Sequence, residues 1–116
     1  MEKNVKVSIL CQIYGKLLTE KQLEITTDYY DNDLSLSEIA ENNKITRQAV
    51  RDIIKKSEKK LFEIEEELSF MEKQINQEKK INSILEKLDK VQEMQKNIKC
   101  KELIERAKEE LKSIIN

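Results

Sequence analysis

LSLSEIAENNKITRQAVRDIIKKSEKK, residues Leu34 to Lys60, sets a short amphipathic segment, a polar corner and a basic amphipathic segment in direct succession. Ser35 caps a helix from Leu36 to about Glu41, and Glu38, three residues on, completes a capping box. Thr46 caps the second helix in the same way. Helices meeting at roughly 90 to 120° need a small residue at the crossing and apolar residues in the angle, and Ala40, Ile45, Val50 and Ile53 supply them. The pattern predicts a helix-turn-helix. Arg47, Gln48, Arg51, Asp52 and Lys55 then lie on the free face of the second helix, the face that enters the major groove in this motif. The corner before Ile45 favours positive φ and commonly holds Gly. Here Lys44 stands there, preceded by Asn43, and because Asn tolerates the left-handed region better than most residues, the turn is open to a shift by one.

Charge is concentrated on the second helix. From Lys44 to Lys60 the basic residues are Lys44, Arg47, Arg51, Lys55, Lys56, Lys59 and Lys60, seven against the two acids Asp52 and Glu58, whereas the whole chain carries a net charge of −1. In a chain with 39% charged residues a basic helix face also arises by chance. Against that reading stands the conjunction of two caps, a small residue at the crossing, an apolar angle and localised charge.

The run LLTEKQ at Leu17 to Gln22, the pair Tyr29-Tyr30 and LSLSEIAENNKITRQAV at Leu34 to Val50 resemble the YlxM-like helix-turn-helix proteins of bacteria, which are similar to region four of sigma factors. The resemblance covers roughly Ile9 to Leu68, and ITRQAV after the LSLSEIAE helix is its most specific piece. It implies a four-helix, sigma-region-four-like module in a small cytoplasmic protein. It also implies a DNA-binding regulatory role and a link, through gene neighbourhood, to the signal recognition particle pathway. Asn43 and Lys44 depart from the more usual Phe-Gly of such motifs.

A chain of 116 residues with 38% hydrophobic and 4% aromatic residues, and no Trp, builds a modest core from Ile and Leu. There is no Pro and a single Gly, Gly15, so backbone chemistry breaks no helix after that point. The fold class is all-α. No apolar stretch approaches the roughly 18 residues of a spanning helix, and the opening Met1-Glu2-Lys3-Asn4 lacks the apolar run of a secretory signal, so the expected location is cytoplasmic. Cys11, among Ile9, Leu10 and Ile13, reads as core; Cys100, between two lysines, reads as incidental.

Apolar positions Ile9, Leu10, Ile13, Tyr14 and Leu17 predict a first helix over Val5 to Leu17, loosened at its end by Gly15. Thr19, with Gln22 as reciprocal partner and Leu18 as staple, starts a second helix from Glu20 to about Tyr30. Tyr29 and Tyr30 read as core packing rather than as a stacking platform for bases. Beyond the basic segment, Val50, Ile54, Ser57, Leu61, Ile64, Leu68, Met71 and Ile75 form a heptad-like seam. Ser69, with Glu72 as box partner, offers an alternative start for a new helix and a bend near Leu68. The phase slips across Asn76 to Lys80 before a second seam at Ile81, Ile84, Leu88, Val91, Met94 and Ile98, and a third segment follows from Leu103 to Ile115. Hinges are expected at 76–80 and near Asn97. Glu63, Glu65, Glu66 and Glu67 read as a solvated outer face. The organisation is thus a helix-turn-helix module over 1–68 and a C-terminal helical extension over 69–116. So long a stripe needs a partner, either by folding back as an antiparallel helical hairpin onto the module or by pairing with the same stripe on a second chain, and the reading favours both, with a homodimer through the C-terminal helices.

With no His and one Gly, the chain has no Ser-His-Asp or Cys-His arrangement, no His-based metal site and no phosphate-cradling loop. No cofactor or metal is expected, and an enzyme is not. Two functions remain. In the first, the protein binds double-stranded DNA as a regulator: Arg47, Gln48, Arg51 and Asp52 touch base edges, while Lys44, Thr46, Lys55, Lys56 and Lys59 hold phosphates. In the second, it is an adapter for an RNA or protein of the protein-targeting machinery.

Overall fold

The computed structural model describes residues 1–115. These form α1 (Lys3–Tyr14), a 3-10 turn (Gly15–Leu17), α2 (Glu20–Tyr30), α3 (Leu36–Asn43), α4 (Arg47–Leu68), α5 (Phe70–Met94) and α6 (Ile98–Ile115), with no strand among the described residues. The fold is all-α. The chain divides into two compact units, Met1–Met71 and Glu72–Asn116.

Local chemistry sets the starts of the helices in the first unit. The Gln22 N–H donates to Thr19 Oγ1 at 3.1 Å and the Thr19 N–H to Gln22 Oε1 at 3.0 Å, closing the box that opens α2. Ser35 and Glu38 close the same box on α3, at 3.1 and 3.2 Å. Thr46 Oγ1 accepts the Ala49 N–H at 3.0 Å and caps α4.

Four helices share the core of this unit. Val7, Leu10, Cys11 and Tyr14 of α1 are buried, with Ile25 and Thr26 of α2, Ile39 and Ala40 of α3, and Val50, Ile54, Ser57 and Leu61 of α4. Each fully buried Ile or Leu contributes on the order of 1.5–3 kcal/mol. Ile25, Ile39, Ala40, Val50 and Ile54 form one cluster, against which Tyr30, Leu34, Leu36 and Ile53 pack. Ser57 donates to the Ile53 carbonyl at 2.8 Å, whereas Thr26 Oγ1 is buried without a hydrogen-bond partner.

Several expectations need correction. The face of α1 is only partly the expected one: Leu10, Cys11 and Tyr14 are buried as read, but Ile9 and Ile13 are half-buried, Leu17 is 52% exposed, and Val7 takes a core place the spacing did not give it. A stripe spaced by threes and fours fits two adjacent faces, and tertiary packing selects between them. Gly15 is not there for flexibility. Its backbone is ordinary right-handed helix at φ −55°, but a Cβ on it would stand 2.9 Å from Leu23 Cδ1, so its missing side chain makes room for the Leu23 side chain of α2. Ile45 is exposed rather than set in the angle between α3 and α4, and Tyr29 is exposed at the rim while Tyr30 alone packs on the core.

The helical break lies at Ser69, which takes φ 57° and whose N–H donates to the Glu65 carbonyl at 2.7 Å, a left-handed C-terminal stop. Ser69 is therefore not an N-cap of β-region geometry. The start of α5 is satisfied instead by Tyr14 Oη, which accepts the Phe70 N–H at 3.1 Å, and by Glu65 Oε1, which accepts the Met71 N–H at 3.0 Å. Glu65 is thus an elbow residue and not part of a solvated face.

In the second unit no hinge occurs at 76–80. α5 runs through it, because Asn, Gln, Glu and Lys propagate a helix and a phase slip changes the covered face, not backbone continuity. The break near Asn97 does occur: Asn97 Oδ1 accepts the Lys99 N–H at 2.9 Å and opens α6. α5 and α6 run antiparallel, joined by a polar ladder in which Lys108 Nζ meets Asp89 Oδ1 at 2.5 Å and Gln92 Nε2 donates to Glu105 Oε2 at 3.0 Å. The Gln92 hydrogen bond and Lys108 hold the Glu105 carboxyl below its usual range, while Asp89 raises Lys108.

Candidate nucleic-acid interface

α3 stops by backbone geometry at its last turn. Lys44 takes φ 55° and ψ 42°, its N–H donates to the Glu41 carbonyl at 3.3 Å, and the Ile45 N–H donates to the Ala40 carbonyl at 3.0 Å. This pair of bonds is a Schellman motif, with Lys44 in the position that usually holds Gly. The turn does not shift to Asn43. That side chain is committed elsewhere, donating to the Ile39 carbonyl at 2.8 Å and accepting Lys21 Nζ at 2.8 Å. The tight turn brings the Thr46 cap directly after Ile45 and starts α4 at Arg47.

The N-terminus of α4 differs electrostatically from those of α2 and α3. The latter carry Glu20 and Glu38 in their first turns, where an acid complements the positive helix end; α4 carries no acid there and opens on Arg47, with Lys44 just before it. Leaving that complement out forgoes roughly 0.3–1 kcal/mol of helix stability. It leaves free N–H groups and a positive terminus suited to an external anion.

Arg47, Gln48, Arg51, Asp52, Lys55, Lys56 and Lys59 are all exposed along α4, as are Lys44 and Thr46 at its start. They do not form one uniform strip. Gln48 Nε2 donates to Asp52 Oδ1 at 2.9 Å, so these two are joined in the free protein. Lys59 lies 4.0 Å from Glu63, an exposed pair worth little. Thr46 spends an acceptor site on its cap and keeps its hydroxyl proton for another partner.

Arg51 and Lys55 turn to the flank of α4. There they line a groove of about 430 Å³ with Lys3 of α1, Tyr29 and Tyr30 of α2, and Glu58. Tyr30 Oη donates to Glu58 Oε1, and Lys3 Nζ stands 3.1 Å from Glu58 Oε2. Burial, then the Glu58 hydrogen bond, push the Tyr30 hydroxyl well above its usual range. The Tyr29 and Tyr30 rings meet edge to face at 5.0 Å. Sequence reasoning did not bring Lys3, Tyr29 or Glu58 to this place, since no local pattern links residue 3 to residue 58.

Among the described residues no group of three or more His, Cys, Asp and Glu side chains is gathered so as to hold a metal ion, and no helix is long and apolar enough to cross a membrane. The family described as "UPF0122: Putative helix-turn-helix protein, YlxM / p13 like" matches residues 1–110. The chain belongs to this family. A UPF0122 protein of Clostridium botulinum (strain Alaska E43 / Type E3) is 48% identical over 88 residues, covering 76% of this chain and 81% of the relative. One from Malacoplasma penetrans (strain HF-2) is 47% identical over 88 residues, covering 72% and 82%. One from Clostridium perfringens (strain ATCC 13124) is 42% identical over 117 residues, covering 100% and 99%. For a UPF0122 helix-turn-helix protein, the exposed basic helix α4 after the Schellman turn is the element suited to nucleic acid.

Proposed function

We propose that this protein is a DNA-binding regulator that inserts the start of α4 into the major groove of duplex DNA. Arg47, Gln48 and Asp52 meet base edges, Lys44, Thr46, Lys55, Lys56 and Lys59 meet phosphates, and Arg51, expected from the sequence at a base edge, turns to the flank of α4 and joins the phosphate set. The observation that carries this reading is the acid-free, Lys- and Arg-bearing start of α4, which follows α3 directly after the left-handed Lys44 turn. The protein acts in the cytoplasm, without catalysis. Its link to the signal recognition particle pathway rests on the resemblance to YlxM-like proteins.

The regulator works as a homodimer through α5 and α6. Ile84 and Val91 on α5 are 43% and 44% exposed, and Leu103 and Ile114 on α6 are 66% and 56% exposed. At about 3.6 residues per turn, and with the two helices antiparallel, all four fall on one side of the hairpin. A second copy of the same side covers them, forming a four-helix arrangement with twofold symmetry.

Selection of binding sequences from random duplex DNA with the purified protein tests both parts. A reading α4 in a twofold dimer enriches a short motif repeated in inverted orientation, with half-sites about one helical turn or a multiple of it apart. Absence of duplex binding at low salt transfers the assignment to an adapter of the protein-targeting machinery.

A further inference from the structure

We propose that the groove beside α4 is a second nucleic-acid contact, a seat for backbone phosphates of the duplex whose bases α4 reads; it rests on the reading of α4 given above. The groove gathers three cations, Lys3, Arg51 and Lys55, against the single carboxylate of Glu58, a surplus of two positive charges. That carboxylate is already occupied. Tyr30 Oη donates to one of its oxygens, and Lys3 Nζ lies 3.1 Å from the other, with the Glu58 side chain only 14% exposed. Its negative charge is held down against the protein while the cations stand at the opening.

Among the described residues Arg51 and Lys55 form no ion pair and the Tyr29 hydroxyl forms no hydrogen bond. The Tyr29 ring is nevertheless held in place by its edge contact with Tyr30. A fixed hydroxyl donor beside two unpaired cations suits a phosphate oxygen, which accepts from neutral and charged donors alike.

Position names the occupant. Arg51 stands one turn beyond Arg47 on α4 and Lys55 one turn further, so the groove continues the basic side of the same helix. A helix lying in the major groove has a sugar-phosphate strand along its flank. Contacts to that strand from other elements fix the register at which the helix reads. Lys3 from α1 and Tyr29 from α2 are such contacts, on helices that never reach a base.

The test uses the full chain, with Lys3→Ala, Tyr29→Phe and Glu58→Gln variants, titrated onto a selected duplex and a scrambled one at several salt concentrations. Lys3→Ala should weaken both duplexes alike, by roughly threefold to tenfold, and lower the salt slope by about 0.9, the share of one phosphate. Tyr29→Phe should weaken both alike, by roughly threefold, with little change of slope. Glu58→Gln should tighten both, because it removes the groove's one negative charge while an amide oxygen still accepts from Tyr30. A merely structural role for the Lys3–Glu58 pair gives the opposite sign for that last variant. If Lys3→Ala melts early, Tyr29→Phe and Glu58→Gln carry the test. If the parent prefers the selected duplex and all three variants match it within about twofold, the groove proposal falls and the reading of α4 stands. If the parent binds no duplex at low salt, both fall.

Discussion

The Tyr14 hydroxyl donates to Glu65 Oε1 at 2.7 Å while accepting the Phe70 N–H at 3.1 Å, so a residue of α1 closes the elbow between α4 and α5. The same Glu65 oxygen takes the Met71 N–H at 3.0 Å, and the Tyr14 and Phe70 rings lie 6.2 Å apart at 27°. Two backbone N–H groups at the start of α5, those of Phe70 and Met71, thus find partners in this pair. Tyr14→Phe keeps the ring and removes the hydroxyl, taking one hydrogen bond from the Phe70 N–H and one from the Glu65 carboxylate. It should cost about 1–3 kcal/mol in urea unfolding. Glu65→Ala should cost at least as much, since it strips both Tyr14 and Met71. If both variants unfold with the parent, the elbow is held by something other than this pair.

Lys44 sits at φ 55° without the freedom of Gly. A non-Gly residue pays for the left-handed region roughly 1–2 kcal/mol, partly offset in a Gly replacement by a more flexible unfolded chain. Lys44→Gly should therefore raise stability by about 0.5–1 kcal/mol and at the same time weaken duplex binding, with a salt slope lower by about 0.9. A thermal melt and a salt titration of one variant would check both. A destabilised Lys44→Gly would mean that the side chain supports the turn through a contact of its own.

The local part of the fold was legible because its signals are local. Thr19 with Gln22, Ser35 with Glu38, and Thr46 each cap a helix by bonds spanning three residues, so spacing alone identifies them. What failed needed distant partners. Glu65 is one of a run of acids with nothing local to distinguish it, and its role depends on Tyr14, 51 residues earlier. The face of α1 was legible in part: Leu10 and Tyr14 are buried as the spacing implies, whereas Ile9, Ile13 and Leu17 lie on a neighbouring stripe that fits threes and fours equally until α2 and α4 choose one. Ile45 looked like a core residue in an apolar pattern, yet its contribution is a backbone N–H to Ala40, which any residue but Pro supplies. At the candidate interface the basic residues of α4 were visible as charge. That Arg51 and Lys55 share a groove with Lys3 and Tyr29 was not, since only the packing of α1 and α2 on α4 brings these together.

Stability should fall at alkaline pH. Burial first, then the charge of Asp31, push the Cys11 thiol from an ordinary value of 9.0 to about 11. Burial followed by the Glu65 hydrogen bond raises the Tyr14 hydroxyl, and Tyr30 is raised likewise beside Glu58. All three are neutral when protonated and have folded pKa values above their unfolded ones. Their contribution is complete below pH 9 and is lost as pH climbs through 9 to 11 for Cys11, and above about 10 for the tyrosines. Urea midpoints at pH 8, 9, 10 and 11 should fall progressively, with Cys11→Ala losing the earliest part of the decline. At pH 8 an aromatic disulfide reagent should label Cys100, which is exposed, and reach buried Cys11 only in denaturant. Equal labelling of both thiols in the native protein would contradict the packing of α1.

The pairing of two chains can be separated from the fold of one. Leu103 and Ile84 are exposed, so a charge at either place costs the single chain little. In the proposed dimer the same charge would be buried against an apolar surface and strongly unfavourable. Leu103→Glu and Ile84→Glu should each sediment as monomers with helicity equal to the parent, while the parent sediments as a dimer. A parent of monomer mass at every concentration would remove the homodimer.

Reading and grip should fail differently along α4. Arg47 lies in its first turn, and Gln48 reaches Asp52 across one turn, so a duplex that uses both must replace the 2.9 Å bond between them with bonds to bases. Lys56 lies further along, exposed, where a helix seated in the major groove would leave it and pass the backbone. Arg47→Ala should cost about 1–3 kcal/mol on the selected duplex and much less on a scrambled one, because a base contact carries discrimination. Gln48→Ala frees Asp52, whose unshared charge then faces the DNA; Gln48→Ala with Asp52→Asn should recover part of the loss on both duplexes. Lys56→Ala should weaken both alike and lower the salt slope by about 0.9. Binding isotherms on the two duplexes across salt give all of these quantities. Equal losses for Arg47→Ala on both would mean that α4 grips DNA without reading it, and the regulator would then have to find its sites through the groove, the dimer spacing or DNA shape.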